Sequence, residues 1–522
     1  MKKKLNLLKI QSIFIGSIAL FGCGSGGTVV NSSSATSPVY TILFDAGSSG
    51  TRLSFYKVIP GNGGYPQITK LSEKEYNDNG INDFLNGNGT IELVDKAGVN
   101  TLPGGVRPVN CTGGTEQTTG KQVQIVGLGE SDVSPCVLAP LLNSQDTTLA
   151  ANGLARSQVK TELFATAGMR TEDTRNGGSY SSESIAAYYQ IMKTYVAGMG
   201  FATGEFKTIN GNSEEGVWTW TNLNDYYYNA FNGNPTVSST AQTPVGDFEV
   251  GGSSMQIAFP VNAAPSYESN IYRVSINGKT FNVYSKTILG LGGDDARKYV
   301  RAYLYSNQDG GLSCFATGAT VSSTTEDSGI ALYPSTLLNP NIFPANLVIT
   351  APWFTLSAES LNLNLSLGSP SFSLNDCSAK YNVVESQVVS LARNNNGTYN
   401  EGNTATISSL KAILQTSTSP FVGIDNFYYT ASDLNLAEST GFSSAAFESA
   451  LTTKCASPIV PGIKLQQQAI CPNGTFMDSF LFGTNGLFNG STASFAGVLS
   501  PRQNGTTVLT WTRGYLLLKY AN

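Results

Sequence analysis

The chain has 522 residues, a formal net charge of −5 at neutral pH and no histidine. The lack of histidine excludes a Ser-His-Asp hydrolase, a Cys-His protease and any metal site with histidine ligands. Proton transfer would therefore depend on Asp, Glu, Lys, Tyr or Cys. An acidic chain without a long Lys/Arg block is also a poor candidate for binding nucleic acid polymers.

The first 22 residues have the pattern of a signal peptide. Lysines follow Met1, and the apolar stretch at 13–21 is too short to span a membrane. Cys23 follows Gly22 in a pattern that resembles a bacterial lipobox, where the cysteine is acylated and becomes the mature N-terminus. The alternative is an ordinary secretory signal beside an unrelated cysteine. Residues 23–38, rich in Gly, Ser and Thr, indicate a flexible tether.

The cysteine content indicates an oxidising compartment. Besides Cys23 there are six cysteines, an even number that suits disulfide formation. Among the many possible connectivities we prefer the sequential one, which pairs Cys111 with Cys136, Cys314 with Cys377, and Cys455 with Cys471. We therefore predict an exported bacterial protein in the periplasm, outer membrane or cell surface. It would be a monomer that contacts the membrane through its lipid anchor only.

In chain order, the first element predicted after the tether is a β-hairpin. An apolar run at 39–44 ends at Asp45, the residues Gly47-Ser48-Ser49-Gly50 break it, and alternation resumes at 52–56. Residues 182–199 have helical spacing, and a helix that begins after Gly216 is predicted to continue through 225–231. The apolar end at 507–520 is predicted to pack on the first domain.

The pattern of this first turn recurs later in the chain. Glu249 ends a β-like run and is followed by Gly251-Gly252-Ser253-Ser254 and renewed alternation. Two such hairpins predict two related lobes that face each other across a cleft. Lobe I would comprise residues 39–211, completed by 503–522, and lobe II would comprise residues 212–502.

Glycine-serine turns suit phosphate binding because backbone N–H groups and hydroxyls can converge on an anion without an intervening Cβ. The acidic residue before each turn can hold a small divalent cation, usually through water. A single turn of this kind is more often structural, whereas a pair in matching register favours a phosphate site. No Walker loop is present, because Arg273 stands where Gly278-Lys279-Thr280 would need its leading glycine.

Four motifs occur in the order found in the ecto-nucleoside triphosphate diphosphohydrolases, or apyrases. They are Asp45–Thr51 (DAGSSGT), Ala165–Arg170 (ATAGMR), Glu214–Trp220 (EEGVWTW) and Glu249–Ile257 (EVGGSSMQI), with support from Asn426–Leu434, Cys471–Phe476 and Trp511–Tyr515. The chain resembles this family over nearly all of its mature length. The resemblance implies an α/β fold of two ribonuclease-H-like lobes of the actin, sugar-kinase and heat-shock ATPase superfamily, with the active site in the cleft between them.

The resemblance also implies a role for each matching residue. Asp45 and Glu249 would hold Mg²⁺ or Ca²⁺, both through water. Glu215 would be the general base, with Ser254 and Gln256 positioning the attacking water. Tyr429 would stack on the nucleobase, with Phe476 on its other face. Phosphate oxygens would be bound by Ser48, Ser49, Thr51, Thr166, Ala167 and Gly252.

Each assignment has a structural alternative. Glu215 could cap the helix that follows it, since acidic residues favour helix N-termini. Ser254 and Gln256 could satisfy a turn, and Tyr429 and Phe476 could belong to the core. Two departures from the family also matter: Glu249 stands where aspartate is usual, and Gly293 stands near the place where animal relatives often have a base-contacting arginine.

The predicted function is hydrolysis of the terminal phosphates of nucleoside tri- and diphosphates outside the cytoplasm. An exopolyphosphatase-like phosphohydrolase is one alternative, because it would share the superfamily and the Gly-Ser turns. A non-catalytic nucleotide-binding surface lipoprotein is the other, and the departure at Glu249 supports it. The aromatic segment around Tyr429 favours a nucleotide over polyphosphate.

Overall fold

The computed structural model describes residues 37–76, 79–95, 97–176, 178–237, 240–262, 270–297, 300, 312–316, 371–394, 407–417, 419–437, 442–457, 470–490 and 493–521. The predicted signal peptide, Cys23 and most of the predicted tether lie outside these residues. From Pro38 onward the chain forms one compact unit. Within the described ranges, no helix is both long and apolar enough to cross a membrane.

Strands and helices alternate along the described chain. The strands are β1 Val39–Ala46, β2 Thr51–Ile59, β3 Gln67–Tyr76, β4 Gly89–Val94, β5 Thr115–Thr119, β6 Gln122–Leu128, β7 Val159–Ala165, β8 Ala202–Thr208, β9 Gly246–Val250, β10 Ser254–Pro260, β11 Ile271–Ile276, β12 Lys279–Leu289, β13 Phe421–Asp425, β14 Phe495–Val498, β15 Arg502–Gln503 and β16 Thr506–Thr507. The α-helices are α1 Ile81–Leu85, α2 Ala139–Asn143, α3 Asp146–Ala151, α4 Ala167–Glu172, α5 Ser182–Gly198, α6 Val217–Tyr226, α7 Leu374–Asn394, α8 Ile407–Leu414, α9 Asn426–Asp433, α10 Ser444–Ala456, α11 Ile470–Met477 and α12 Trp511–Ala521.

Two mixed sheets form the framework and share one pattern. The first has the order β3-β2-β1-β7-β8, and the second has the order β11-β12-β10-β9-β13-β14. In each sheet an antiparallel hairpin, β1–β2 or β9–β10, continues into parallel strands, β7 and β8 or β13 and β14. The predicted α/β fold, with two related sheets, is confirmed.

The two hairpins have equivalent registers. In the first, Asp45 pairs with Arg52 across the strands. In the second, Glu249 pairs with Gln256. Each acidic residue is thus one position from the end of its strand, and side chains alternate between the two faces of a strand. This geometry places both carboxylates beside the glycine-serine turn that follows them.

Three hydrophobic clusters account for most of the core. One lies under the first sheet with α5, and one lies under the second sheet with α10 and α11. A third cluster joins the sheets, since it contains Leu43 and Phe164 from the first and Ala258 from the second. It also contains Trp218 of α6 and Trp511 of α12. The helix that follows Glu215 is therefore fixed against both sheets.

The C-terminal helix α12 packs closely on α6 because one of its positions is glycine. A Cβ added to Gly514 would lie 1.8 Å from the carbonyl oxygen of Trp218. The same helix contacts the first sheet through Thr512, whose hydroxyl bonds to that of Tyr56 at 2.9 Å. The predicted packing of the C-terminal segment on the first domain is present, and contacts with the second sheet accompany it.

We predict that Gly514→Ala lowers the free energy of unfolding by about 3 kcal/mol, because the new methyl group forces α12 away from α6. Gly198→Ala is the matched control, since Gly198 also lies in a helix but has no atom within 4 Å of an added Cβ. That control should be neutral or slightly stabilising. Urea unfolding with the disulfides intact measures both, and equal stabilities for the two variants would contradict the packing argument.

One predicted helix is shorter than expected. The helix after Gly216 ends at Tyr226, so the prediction that it continues through 225–231 is wrong. The chain turns at Asn229, which adopts a left-handed φ of 46°. The side-chain oxygen of Asn229 also accepts hydrogen bonds from the backbone of Gly233 and Asn234, both at 3.1 Å. Asparagine disfavours the continuation of a helix in this way, because its side chain forms hydrogen bonds with nearby backbone groups.

The described part of the chain contains three disulfides. They join Cys111 to Cys136, Cys314 to Cys377 and Cys455 to Cys471, which is the sequential pairing that we preferred from the sequence. Such bonds are typical of proteins that fold in an oxidising compartment.

Candidate active site

The two glycine-serine turns face each other across one cavity. Each turn is closed by a backbone hydrogen bond, from Gly47 N to Gly50 O at 2.9 Å and from Gly251 N to Ser254 O at 3.0 Å. A Cβ added to Gly252 would lie 2.6 Å from Ser48 Oγ, so the turns approach closely only because this residue is glycine. Ser48, Ser49, Thr51 and Gly252, which we predicted to bind phosphate, line the cavity.

The second turn is oriented by the segment that follows β12. Gly293 N donates to Gly251 O at 2.8 Å, and Asp294 N donates to Gly252 O at 2.9 Å. Because C=O and the next N–H point in opposite directions across a trans peptide, the amides of Gly252 and Ser253 point away from this segment. The two residues line the cavity, whereas the segment behind them does not. Such an arrangement of amides suits an anion.

The first turn is supported by the end of β7. Thr166 N donates to Ala46 O at 3.1 Å, and Thr166 and Ala167 both line the cavity. A Cβ added to Gly168 would lie 2.9 Å from Ser48 Cα, so glycine is needed for this close approach. Thr51 Oγ1 is buried and has no hydrogen-bond partner among the described residues, which leaves it available to a ligand.

Glu215 is carried to the cavity by a wide π-helical turn, Gly211–Gly216, that precedes α6. A Cβ added to Gly216 would lie 2.3 Å from Ser285 Oγ, and one added to Gly211 would lie 2.6 Å from Thr287 Oγ1. The two glycines therefore allow the turn to pack closely against β12. The structural alternative for Glu215 was helix capping. Instead, Asn210 provides the cap, because its side chain accepts from Asn212 N and Ser213 N.

Glu215 belongs to a buried polar network. Its Oε2 lies 2.6 Å from an amino group of Arg170, which is fully buried. The same amino group donates to Ser254 Oγ at 3.0 Å, and Gln256 Nε2 donates to that oxygen at 2.8 Å. Because Ser254 Oγ accepts both bonds, its own hydrogen can be donated to a further acceptor. Glu215, Ser254 and Gln256 all line the cavity.

Four carboxylates line the cavity: Asp45, Glu215, Glu249 and Asp425. Burial raises the pKa of Asp45 and of Asp425 to about 6, although Arg52 opposes the shift in both. Burial also raises the pKa of Glu249 well above its usual value, and the negative charge of Glu215 adds to this. A cation bound among these carboxylates would stabilise their charged forms.

The residues predicted to hold a metal fit a divalent ion that is bound through water. Asp45 already accepts a hydrogen bond from Trp511 Nε1 at 3.2 Å, and Glu249 accepts one from Thr219 Oγ1 at 2.9 Å. Within the described ranges, no three acidic or cysteine side chains converge to coordinate one ion directly. Oxygen ligands from separate strands with space between them fit an ion bound mainly through water, as Mg²⁺ usually is.

The two aromatic residues predicted to hold the nucleobase lie in different places. Tyr429, on α9, lines the cavity and is 42% exposed. Phe476, on α11, is only 1% exposed and packs in the core against Tyr381 and Phe480. The structure therefore does not bring Phe476 to the cavity. Tertiary packing explains this position, because the face of α11 that carries Phe476 packs against α7.

Several residues of the cavity or of the polar network behind it were missed from the sequence. Arg170 is the last residue of one family motif and Trp511 is the first residue of another. Membership in a motif was therefore the sequence signal that could have indicated a role for either residue. Asp425 gave a weaker signal, as the last residue of β13 before an aromatic segment. It has a left-handed φ of 56°, which is unusual for a residue other than glycine and typical of functional sites.

Fold and site together define an α/β protein with a cavity between two related mixed sheets. A model of the GDA1/CD39 (nucleoside phosphatase) family matches residues 133–459. The chain belongs to this family, and the predicted family and enzyme class, a hydrolase, are thereby confirmed. The match includes Thr166, Glu215 and the second turn, and it begins after the first turn.

The fold is also found in a solved structure of a similar protein. A structure of nucleoside triphosphate hydrolases from Neospora caninum is similar over 93% of this chain and 92% of that chain, with 15% identity and a TM-score of 0.53. The Ppx/GppA family member of Aquifex aeolicus (10% identity, 92% and 98% coverage, TM-score 0.37) and an exopolyphosphatase from Cytophaga hutchinsonii (8%, 92% and 97%, 0.36) are more distant. No curated protein sequence matches the chain.

Proposed function

We propose that this protein hydrolyses the terminal phosphates of nucleoside tri- and diphosphates, with Glu215 as the general base. One observation carries the proposal: Glu215 and both glycine-serine turns line a single cavity. In-line attack of water on a terminal phosphate requires a base on one side and donors around the equatorial oxygens. The two turns and Glu215 provide groups of both kinds.

Each residue would have a distinct task. Ser48, Ser49, Thr51, Thr166, Ala167 and Gly252 would bind phosphate oxygens. Ser254 and Gln256 would position the attacking water, and Glu215 would accept its proton. Asp45 and Glu249 would hold Mg²⁺ or Ca²⁺ through water, and that ion would neutralise charge on the phosphate chain. Tyr429 alone would stack on the nucleobase.

The exposed ring of Tyr429 supports a nucleotide over polyphosphate as the substrate. An aromatic side chain left 42% exposed at a phosphate cavity offers a surface for stacking a planar base. Polyphosphate has no group that would use it. We therefore keep nucleotide hydrolysis as the leading function and treat exopolyphosphatase activity and nucleotide binding without turnover as outcomes of the test.

A phosphate-release panel tests this function. The purified protein is assayed with Mg²⁺ against ATP, ADP, AMP and long-chain polyphosphate. We expect phosphate from ATP and ADP and none from AMP, which has no phosphoanhydride bond. Release from polyphosphate alone would support the exopolyphosphatase alternative. Tight ADP binding without any release would support a non-catalytic nucleotide-binding protein.

We also propose that the enzyme acts outside the cytoplasm as a monomer with residues 1–22 removed and a lipid on Cys23. The even set of six disulfide-bonded cysteines supports export. Residues 39–211 with 503–522 would form one lobe and 212–502 the other, behind a tether at 23–38. Mass spectrometry of the mature N-terminus is expected to find acylated Cys23. An unmodified N-terminus at another residue would contradict the anchor.

A further inference from the structure

The β15–β16 hairpin brings an arginine to the outer part of the cavity. Arg502, Pro501 and Thr507 line the cavity together with Tyr429, whereas Ser254 and Gln256 lie at its buried end. The hairpin turn is tight, with left-handed φ values of 49° at Asn504 and 77° at Gly505.

Both sheets fix the position of this hairpin. On the side of the second sheet, Leu499 N donates to Gly423 O at 2.9 Å. On the side of the first sheet, Lys70 Nζ donates to Thr507 O at 2.6 Å, and Thr507 Oγ1 donates to Glu73 at 2.8 Å. Hydrogen bonds thus fix the backbone both before and after Arg502.

The charged residues that line the cavity indicate a role for Arg502. The lining contains the four carboxylates named above and two cations, Arg52 and Arg502. Arg52 lies between Asp45 at 3.5 Å and Glu75 at 3.6 Å, and its side chain is 25% exposed. The side chain of Arg502 is 43% exposed, and its ion-pair partner among the described residues is Glu75, at 2.6 Å. Among the cations that line the cavity, Arg502 is therefore the more accessible to an incoming anion.

We propose that Arg502 binds the phosphate group adjacent to the nucleoside and so contributes to substrate affinity. This inference rests on the proposed function. The glycine-serine turns occupy the end of the cavity near Glu215, where the terminal phosphate would react, and Tyr429 marks the end where the base would stack. Arg502 and Tyr429 line the same cavity, and the charge of Arg502 acts on the Tyr429 hydroxyl. The planar guanidinium group can donate two parallel hydrogen bonds to phosphate oxygens.

The rival explanation is that Arg502 only fastens the hairpin to the first sheet through Glu75. Two variants separate these roles, because both remove the same ion pair. Arg502→Ala removes the cation, whereas Glu75→Gln leaves the guanidinium group in place and free to bind phosphate. Glu75 does not line the cavity.

The experiment measures kcat and KM for ADP with Mg²⁺ at low and high salt, using the full chain. For Arg502→Ala we expect KM to rise about tenfold with kcat changed less than about threefold, as for loss of one charge-assisted hydrogen bond. Its KM should also depend less on salt, because an exposed cation has been removed. Glu75→Gln should keep KM within about twofold of the wild type.

Equal increases in KM for the two variants would assign Arg502 a purely structural role, and an unchanged KM in Arg502→Ala would overturn the contact. If the wild type releases no phosphate, the proposed function fails, and the same variants are compared by the Kd of Mg-ADP in calorimetry. A weaker Kd in Arg502→Ala alone would still support the phosphate contact. No difference, or no ADP binding by the wild type, would overturn it.

Discussion

Replacing Glu215 by glutamine should lower kcat for ATP hydrolysis by about 10³-fold, which is the scale expected for loss of a general base. Glutamine has nearly the same shape and keeps an oxygen that can accept from Arg170, 2.6 Å away in the wild type. It cannot take a proton from water at neutral pH. We therefore expect KM to change little, since the phosphate-binding turns are untouched.

The matched control for this variant is Glu214→Gln, one residue earlier in the same turn. Glu214 bonds to Lys207 Nζ and to Asn210 N and does not line the cavity. It should retain wild-type kcat within about threefold. Circular dichroism and thermal unfolding would establish that both variants are folded. A Glu215→Gln enzyme with a near-normal rate would show that another group activates the water.

Removing divalent metal should reduce the rate to below about one per cent of its starting value, and adding Mg²⁺ or Ca²⁺ should restore it. The reason lies in the charges of the cavity. Asp45, Glu249, Glu215 and Asp425 all line it, so a phosphate chain that entered without a cation would meet four acidic groups. Phosphate release after treatment with EDTA, followed by a metal titration, measures the effect.

Asp45→Asn separates metal binding from general damage by the chelator. Loss of one carboxylate near the ion should raise the Mg²⁺ concentration for half-maximal rate by about tenfold. Asp146→Asn is the control, because Asp146 is a surface carboxylate 54% exposed and paired with Arg156 far from the cavity. Full activity in EDTA, or identical metal titrations for the three proteins, would refute a metal held at Asp45.

The parts of the site that sequence could predict are those in which local chemistry is sufficient. A β-like run that ends at Asp45 or Glu249, followed by glycines and serines and then by alternation, predicts a hairpin with a tight turn from neighbouring residues alone. The recurrence of that pattern then predicts two related sheets. The helix at 182–199 was predicted correctly for the same reason, since α5 is long and its apolar positions recur on one side.

Predictions failed or were incomplete where distant residues decide the outcome. The helix after Gly216 stops at Tyr226 because asparagine side chains compete for backbone hydrogen bonds, which apolar spacing does not reveal. Phe476 lies in the core because α11 packs against α7 across a long interval of chain. The pairing of Arg170 with Glu215 joins two motifs, and neither motif indicates that its charged residue would face the other.

By itself, the sequence determined the two glycine-serine turns, the acidic residue before each of them and the family resemblance. It left the disulfide pairing as a preference among many connectivities. Only the tertiary structure decided that Trp511 donates to Asp45 across 466 positions, that Asp425 joins the cavity and that Arg502 and Tyr429 line it together. The physical reason is that turns form from neighbouring residues, whereas the charge and contacts of a cavity arise from segments that meet only when two sheets pack together.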